Sequence, residues 1–362
     1  MGWLPAALAA FLGFSALIML HELGHFTAAK AVGMRVEKFS LFFGPMLVKV
    51  RRGETVYGVG PVPLGGYVKI SGMNPYEQLP PEVAPRAYFR QPVWKRLVVI
   101  GAGPVMSLLV AFVLLWGIFV IHGTYHPTGT VEQVARNAPA TGKLRPGDKI
   151  VAVDGRRGDF DTLRNQVNTH RCPGRQTNLC VAATPARLTV VRDGRTITLS
   201  LRPRYQASER RMLLGFSSRQ VLEHEGPVDG AGLAVSTMWQ VTTQTVSTIG
   251  RLLFSSEARK QTSGVVGAYE VTRRTFEFSI TQALFLLAVI SLSLGVINLF
   301  PFLPLDGGHI FFALVEWLRG RPIPFSVMER ASVVGIMLVL FMFVIGFTND
   351  INRLTGQGFG VR

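Results

Sequence analysis

Residues 3–25 read WLPAALAAFLGFSALIMLHELGH. Trp3–Leu20 is a run of 18 residues without a charge, and His21, Glu22 and His25 follow at once. A helix rising about 1.5 Å per residue needs roughly 20 apolar residues to cross the hydrocarbon core of a bilayer. The run therefore spans by borrowing from its flanks. It has no basic segment ahead of it and no clean small-residue cleavage site before His21, so it reads as a retained span and not as a cleaved leader. Three more uncharged runs follow: Leu97–Ile121 (25 residues), Phe278–Leu305 (28) and Ala331–Thr348 (18).

Composition agrees. Of 362 residues, 48% are hydrophobic and 17% charged, against about a quarter charged in an ordinary soluble domain. Because the apolar residues sit in long runs, a purely soluble protein, a disordered chain and a disulfide miniprotein are excluded. The net charge of +16 suits anionic lipid. The basic residues are scattered without interleaved aromatics, so nucleic acid is not an expected partner.

The expected fold class is a polytopic α-helical membrane protein with four transmembrane helices. Residues 1–29 hold no Lys or Arg, while Lys30–Arg96 holds eleven. Under the positive-inside rule this loop is cytoplasmic and both termini are outside. The expected divisions are span one with its histidines (1–30), a cytoplasmic loop with a β element (31–96), span two (97–121) and an extracytoplasmic domain (122–205). An amphipathic linker region (206–277) leads to span three (278–310), a cytoplasmic loop (311–330), span four (331–348) and a tail (349–362). Within the linker, Val235–Phe254 alternates at helical spacing and is expected on the membrane surface. Lys149–Val153 and Ala186–Val191 read as strands, with turns at Asp154-Gly155 and Asp193-Gly194. The two cysteines, Cys172 and Cys180, both fall in the outer domain. They form either a disulfide suited to an oxidising exterior or two free thiols.

His21 and His25, at i and i+4, share one helix face and can reach one metal ion, with Glu22 between them as a base toward water. Three ionisable groups at the end of an apolar span are costly unless they bind something. A hydrolytic zinc site needs a third protein ligand and one open position. Span three offers it in Asn298-Leu-Phe-Pro301-Phe-Leu-Pro304-Leu-Asp306-Gly307-Gly308-His309. Pro301 and Pro304 should break that helix and bring Asp306 level with His21 and His25. His309 and Glu316 are rival third ligands, and His309 could instead support a ligand from behind.

These motifs, in this order around an outer domain, resemble the site-2 protease family, and more narrowly its bacterial RseP-like intramembrane zinc metalloproteases with a single PDZ domain. The resemblance covers nearly the whole chain. It implies one zinc ion held by His21, His25 and Asp306, with Glu22 as general base, in the bacterial inner membrane. It also implies cleavage of single-span proteins such as anti-sigma factors, after an upstream site-1-type protease has trimmed their outer part. Signal-peptide remnants are a further substrate class left open. In this family the segment similar to Pro63-Leu64-Gly65-Gly66-Tyr67 is a membrane-dipping β element that pairs with substrate, and Asn298, with Pro301 beside it, contacts the substrate backbone.

The residues fit that mechanism. A peptide bond inside a transmembrane helix is shielded because its polar groups are paired internally, and strand addition along the β-prone Thr55–Ser71 would give an unwound chain new partners. An ordinary hairpin is the plainer reading of that segment, and an interhelical hydrogen bond the plainer role for Asn298. The segment Arg145-Pro146-Gly147-Asp148 through Gly155 looks PDZ-like, serving as a peptide binder or as a filter against bulky outer domains. Departures from the family pattern occur at Leu303, at Ser107 in Gly103-Pro104-Val105-Met106-Ser107, and in Gly264-Val265-Val266-Gly267. The alternative function is a non-catalytic, zinc-containing membrane scaffold that binds peptides. The presence of Glu22 argues against it, since a structural zinc needs no base. A metal transporter fits poorly with four spans and no internal repeat.

Overall fold

The computed structural model describes residues 2–74, 76–255 and 264–355. They form two compact units, 1–122 with 225–362 and 123–224.

In the first unit, α1 (Trp3–Ala31) leads to four strands, β1 (Val36–Phe43), β2 (Val48–Arg52), β3 (Thr55–Val59) and β4 (Val62–Ile70), and then to α2 (Val93–Ile121). The sheet order is β2-β3-β1-β4, with β1 parallel to β3 and antiparallel to β4. The expected Thr55–Ser71 element thus supplies only half of a sheet whose centre is β1. Gly53, at φ +60°, makes the β2–β3 turn, as a two-residue hairpin loop requires. Ala29, Met34, Val36, Ile70, Tyr88 and Val99 pack the sheet onto α1 and α2. Glu54 pins it further, accepting from Lys30 at 2.6 Å and Arg86 at 2.7 Å. Arg86 first and Lys30 second hold the Glu54 carboxyl down at about 2.

The second unit begins with β5 (Thr124–Val134), β6 (Lys149–Val153), β7 (Arg156–Arg157) and α3 (Phe160–Val167). It continues with β8 (Ala186–Arg192), β9 (Arg195–Leu201), β10 (Arg204–Gln206), β11 (Arg211–Leu213) and β12 (Phe216–Glu223). Its main sheet runs β12-β5-β6-β8-β9, with β7 on β6. The unit ends at His224 and not near 205. The reason is that β12 pairs with β5, its first strand, so residues 206–223 complete the domain instead of linking it. Asp193 and Gly194, at φ +49° and +77°, turn β8 into β9. Asp159 caps α3 by accepting from the Thr162 amide. Cys172 and Cys180 are joined by a disulfide, with Cα atoms 6.1 Å apart.

The chain re-enters the first unit through α4 (Pro227–Phe254), α5 (Val265–Phe278), α6 (Ile280–Asn298), α7 (Asp306–Arg319) and α8 (Phe325–Thr355). The expected surface helix is α4, and it packs on other helices: Ala234 is buried with Leu115, Ile118 and Phe119 of α2 and Ala288 of α6. The expected span 278–310 is two helices, because the chain unwinds over 299–305, where Pro301 and Pro304 withhold amides and crowd the preceding turn. α7 then runs to Arg319, through half of the expected loop 311–330, and ends on Gly320 at φ +65°, a left-handed cap open to glycine. The last helix outruns 331–348 at both ends. The tail expected at 349–362 is helical to Thr355, and from 356 on it lies outside the described residues.

Among the described residues, α1, α2, α6 and α8 are long and apolar enough to cross a membrane. α6 is the most enclosed, with 39% of its apolar window buried, and α8 the least, with 11%. Apolar side chains left outside in α8, such as Val334 and Met337, are at home in lipid rather than water. Asp350 of α8 accepts from the amides of Gly264 (3.0 Å) and Gly267 (2.8 Å). This carboxylate satisfies the open donors at the start of α5.

Candidate metal centre

Helical spacing sets His21 and His25 one above the other on α1, with ring centroids 5.0 Å apart and planes at 80°. Both are buried. The Nδ1–H of His25 donates to the Val99 carbonyl at 2.9 Å. A carbonyl only accepts, so this ring carries a proton on Nδ1 and turns Nε2 inward. Nδ1 of His21 meets the Ser107 hydroxyl at 2.8 Å, and Ser107 is held in turn by Ser291 Oγ of α6, which donates to its carbonyl at 2.9 Å. His21 turns its Nε2 toward the same point as His25 Nε2. Gly103 of α2 makes room for the pair. A Cβ there would lie 2.2 Å from His25 Nε2, so the ring can occupy its place only against a glycine.

Asp306 arrives from the opposite side. The unwound stretch 299–305 ends where α7 begins, and Asp306 is the first residue of that helix. Its Oδ2 lies 3.2 Å from His21 Nε2 and 3.3 Å from His25 Nε2. The same oxygen is buried and receives no hydrogen bond. One possible ligand atom from each of the three side chains lies within 4.8 Å of the others, close enough to share one cation. Two imidazoles and a carboxylate form the ligand count of an open hydrolytic zinc site.

Glu22 follows His21 on α1 and packs toward the sheet. A Cβ on Gly66 of β4 would meet its Cγ at 3.1 Å, so the bare backbone of β4 runs directly beside this carboxylate. Pro63, Leu64, Gly65, Gly66 and Tyr67 all belong to β4, and Tyr67 stacks on Phe43 of β1 at 5.9 Å. β4 ends the sheet order, leaving its outer edge without a strand partner among the described residues. Asn298 closes α6 and Pro301 is exposed in the unwound stretch.

The two rival ligands are placed elsewhere. Glu316 accepts two hydrogen bonds from Arg96, at 2.6 and 3.0 Å, and so clamps α7 to α2. His309 lies one turn beyond Asp306 on α7, outside the cluster of converging ligand atoms. The supports missed in the sequence are Ser107, Ser291 and the Val99 carbonyl. In the sequence Ser107 stands only as a departure from the family pattern. A lone hydroxyl in an apolar span was the one signal available, and it does not say which histidine it serves.

The profile of Peptidase family M50 matches residues 9–342. A protein of Nostoc sp. named as a proposed zinc metalloprotease is 30% identical, covering 97% of both chains. The zinc metalloprotease Rip1 of Mycobacterium tuberculosis is 30% identical over 92% of this chain and 94% of its own. A Rhizobium meliloti protein, also named as a proposed zinc metalloprotease, is 29% identical over 94% of each. With a family match that takes in both histidines and Asp306, the chain belongs to peptidase family M50, the site-2 proteases, and is a membrane zinc metalloprotease.

Proposed function

We propose that this protease hydrolyses peptide bonds within or beside the transmembrane segment of single-span membrane proteins, with His21, His25 and Asp306 as the zinc ligands and Glu22 as the general base. The observation that carries the reading is the meeting of two inward-facing imidazole nitrogens with a buried, hydrogen-bond-free Asp306 oxygen. Zinc held there supplies Lewis acidity toward the scissile carbonyl and toward the attacking water. The chain's own groups do the rest. Ser107 and the Val99 carbonyl fix the imidazole orientations. Glu22 takes a proton from the attacking water and passes it to the departing amine. The outer edge of β4 supplies backbone partners to a substrate unwound from its helix, and Asn298 and Pro301 stand where the unwound stretch of this chain can contact it.

The substrates we favour are anti-sigma factors already trimmed outside the cell by a site-1-type protease. Both termini and the PDZ-like domain would be extracytoplasmic and the metal centre toward the cytoplasm, in a bacterial inner membrane. The charge bias of Lys30–Arg96 supports that orientation. The disulfide in the second unit suits an oxidising exterior.

The test uses the purified full chain and a single-span model substrate. Glu22→Gln should keep its zinc and lose cleavage by roughly a hundredfold or more. Asp306→Asn should lose zinc. Full cleavage by the Glu22 variant, or unchanged zinc in the Asp306 variant, would refute the assignment.

A further inference from the structure

α4 follows α2 down into the layer that the apolar spans occupy. At its start the Trp116 indole of α2 donates to the Pro227 carbonyl at 2.9 Å, and a Cβ on Gly230 would meet Val120. Further along, Ala234 is buried with Leu115 and Phe119, and Met238 and Val241 pack on Ala111 of α2 and Leu292 of α6. The contacts on α2 run backward from Val120 to Ala111, so the two helices are antiparallel. Ala111 lies about 15 Å from the end of α2 at Ile121, near the middle of its uncharged run. Gln240 stands between Met238 and Val241 at that depth, and Gln244 is one turn further in. Both glutamines are exposed, and among the described residues neither amide has a hydrogen-bond partner. The hydroxyls near them are spent on their own helix, Ser236 donating to the Leu233 carbonyl at 2.9 Å and Thr243 to the Gln240 carbonyl at 2.8 Å. An amide without a partner is costly in hydrocarbon.

We propose that this face of α4 is the contact between two copies of the chain, closed by glutamine pairs inside the bilayer. Ser236, Gln240, Thr243 and Ser247 are all exposed and recur at alternating four- and three-residue steps, the spacing of a seam between two helices. Gly232 and Gly250 continue the seam at either end, and a Cβ on either would meet nothing within 4 Å. Glycine weakens a helix relative to alanine, and packing within this chain accounts for neither. Small residues let a second helix approach closely, and the amides supply its hydrogen bonds. The next exposed strip of α4 differs: Val228, Val235, Trp239 and Val246 suit lipid. The seam also fits itself. Every copy crosses the membrane in one direction, so two copies meet parallel about a two-fold axis, each residue opposite its counterpart. A glutamine amide both donates and accepts, so Gln240 and Gln244 each satisfy their own counterparts. A substrate helix of variable sequence would not bring amides to these two depths.

The experiment uses the purified full chain in liposomes at a high ratio of lipid to protein. Cys172 and Cys180 are bonded to each other, so a single introduced cysteine is the thiol available for cross-linking. Thr243→Cys and Ser247→Cys should give the cross-linked dimer about tenfold faster or more than Val235→Cys and Val246→Cys on the apolar strip. Pairing is measured separately by energy transfer between copies labelled at their N-termini. Gln240→Leu combined with Gln244→Leu should weaken it about tenfold, and so should Gly232→Leu, with zinc content and helix content as in the wild type. Both changes place leucine on an open helix face, so neither disturbs the packing of this chain. Cross-linking at none of the four positions, equal rates on the two strips, or undiminished energy transfer in either variant overturns the proposal. So does a seam cysteine that joins an added single-span substrate in preference to a second copy.

Discussion

Gly103→Ala is a one-carbon test of the metal centre. The new Cβ would lie 2.2 Å from His25 Nε2, 2.4 Å from Cε1 and 2.8 Å from Cδ2. Ordinary carbon contacts begin near 3.5 Å, so the imidazole must retreat by about 1 Å or α2 must back away from α1. Neither is easy. The ring is tethered by its bond to the Val99 carbonyl, and Val99 belongs to the same helix as Gly103. Zinc sites tolerate only about 0.2 Å in ligand distance, and a misplacement of about 1 Å at a reacting centre can cost roughly a hundredfold in rate. We therefore expect zinc affinity to fall by about 10- to 100-fold and cleavage by about 100-fold or more. Propensity alone works the other way, since Ala favours a helix over Gly by about 1 kcal/mol. Loss of zinc without loss of helix content is thus the signature. The assay is zinc content after dialysis against a competing chelator, with circular dichroism alongside. Gly101→Ala is the control, because a Cβ there meets nothing within 4 Å. Wild-type zinc and activity in the Gly103 variant would refute the placement of His25.

Other expectations follow from the same contacts. Ser107→Ala removes the partner of His21 Nδ1 and should cost about 10- to 100-fold in zinc affinity, read by the same competition. Glu316→Ala leaves the Arg96 guanidinium, whose side chain is 11% exposed, without its counter-ion. The expected loss is about 3–5 kcal/mol, seen as a lower melting temperature, whereas the paired change Arg96→Met with Glu316→Leu should recover much of it. Glu54 titrates at about 2 in the folded chain against an ordinary 4.5. Because its folded value is depressed, its contribution is complete above about pH 4.5 and is lost as the pH falls toward 2. The stability gap between wild type and Glu54→Gln should therefore narrow over that window in acid melts; a constant gap would show that the Lys30 and Arg86 pairs do not stabilise the sheet.

The local features were legible in the chain itself, because each is set by neighbours a few residues apart. Uncharged runs marked the spans. The i, i+4 spacing put His21 and His25 on one face whatever surrounds α1. Two prolines foretold the break ahead of Asp306, and Asp193-Gly194 foretold a hairpin. Distant packing was not legible. Glu316 competed with Asp306 as a ligand until its bidentate contact with Arg96 tied it to α2. Nothing beside Ser107 in the sequence shows that the α1–α2 approach puts its hydroxyl against His21. The outer domain ended near 205 by composition, yet β12 belongs to it because it pairs with β5, a partner that no local period reveals. The sheet behaves the same way, since its β character is local but the placement of β4 at the edge beside Glu22 is not. Periodicity reports which face of an element is apolar. Only the packed chain decides which other element covers that face, and here that choice brings a carboxylate to two imidazoles.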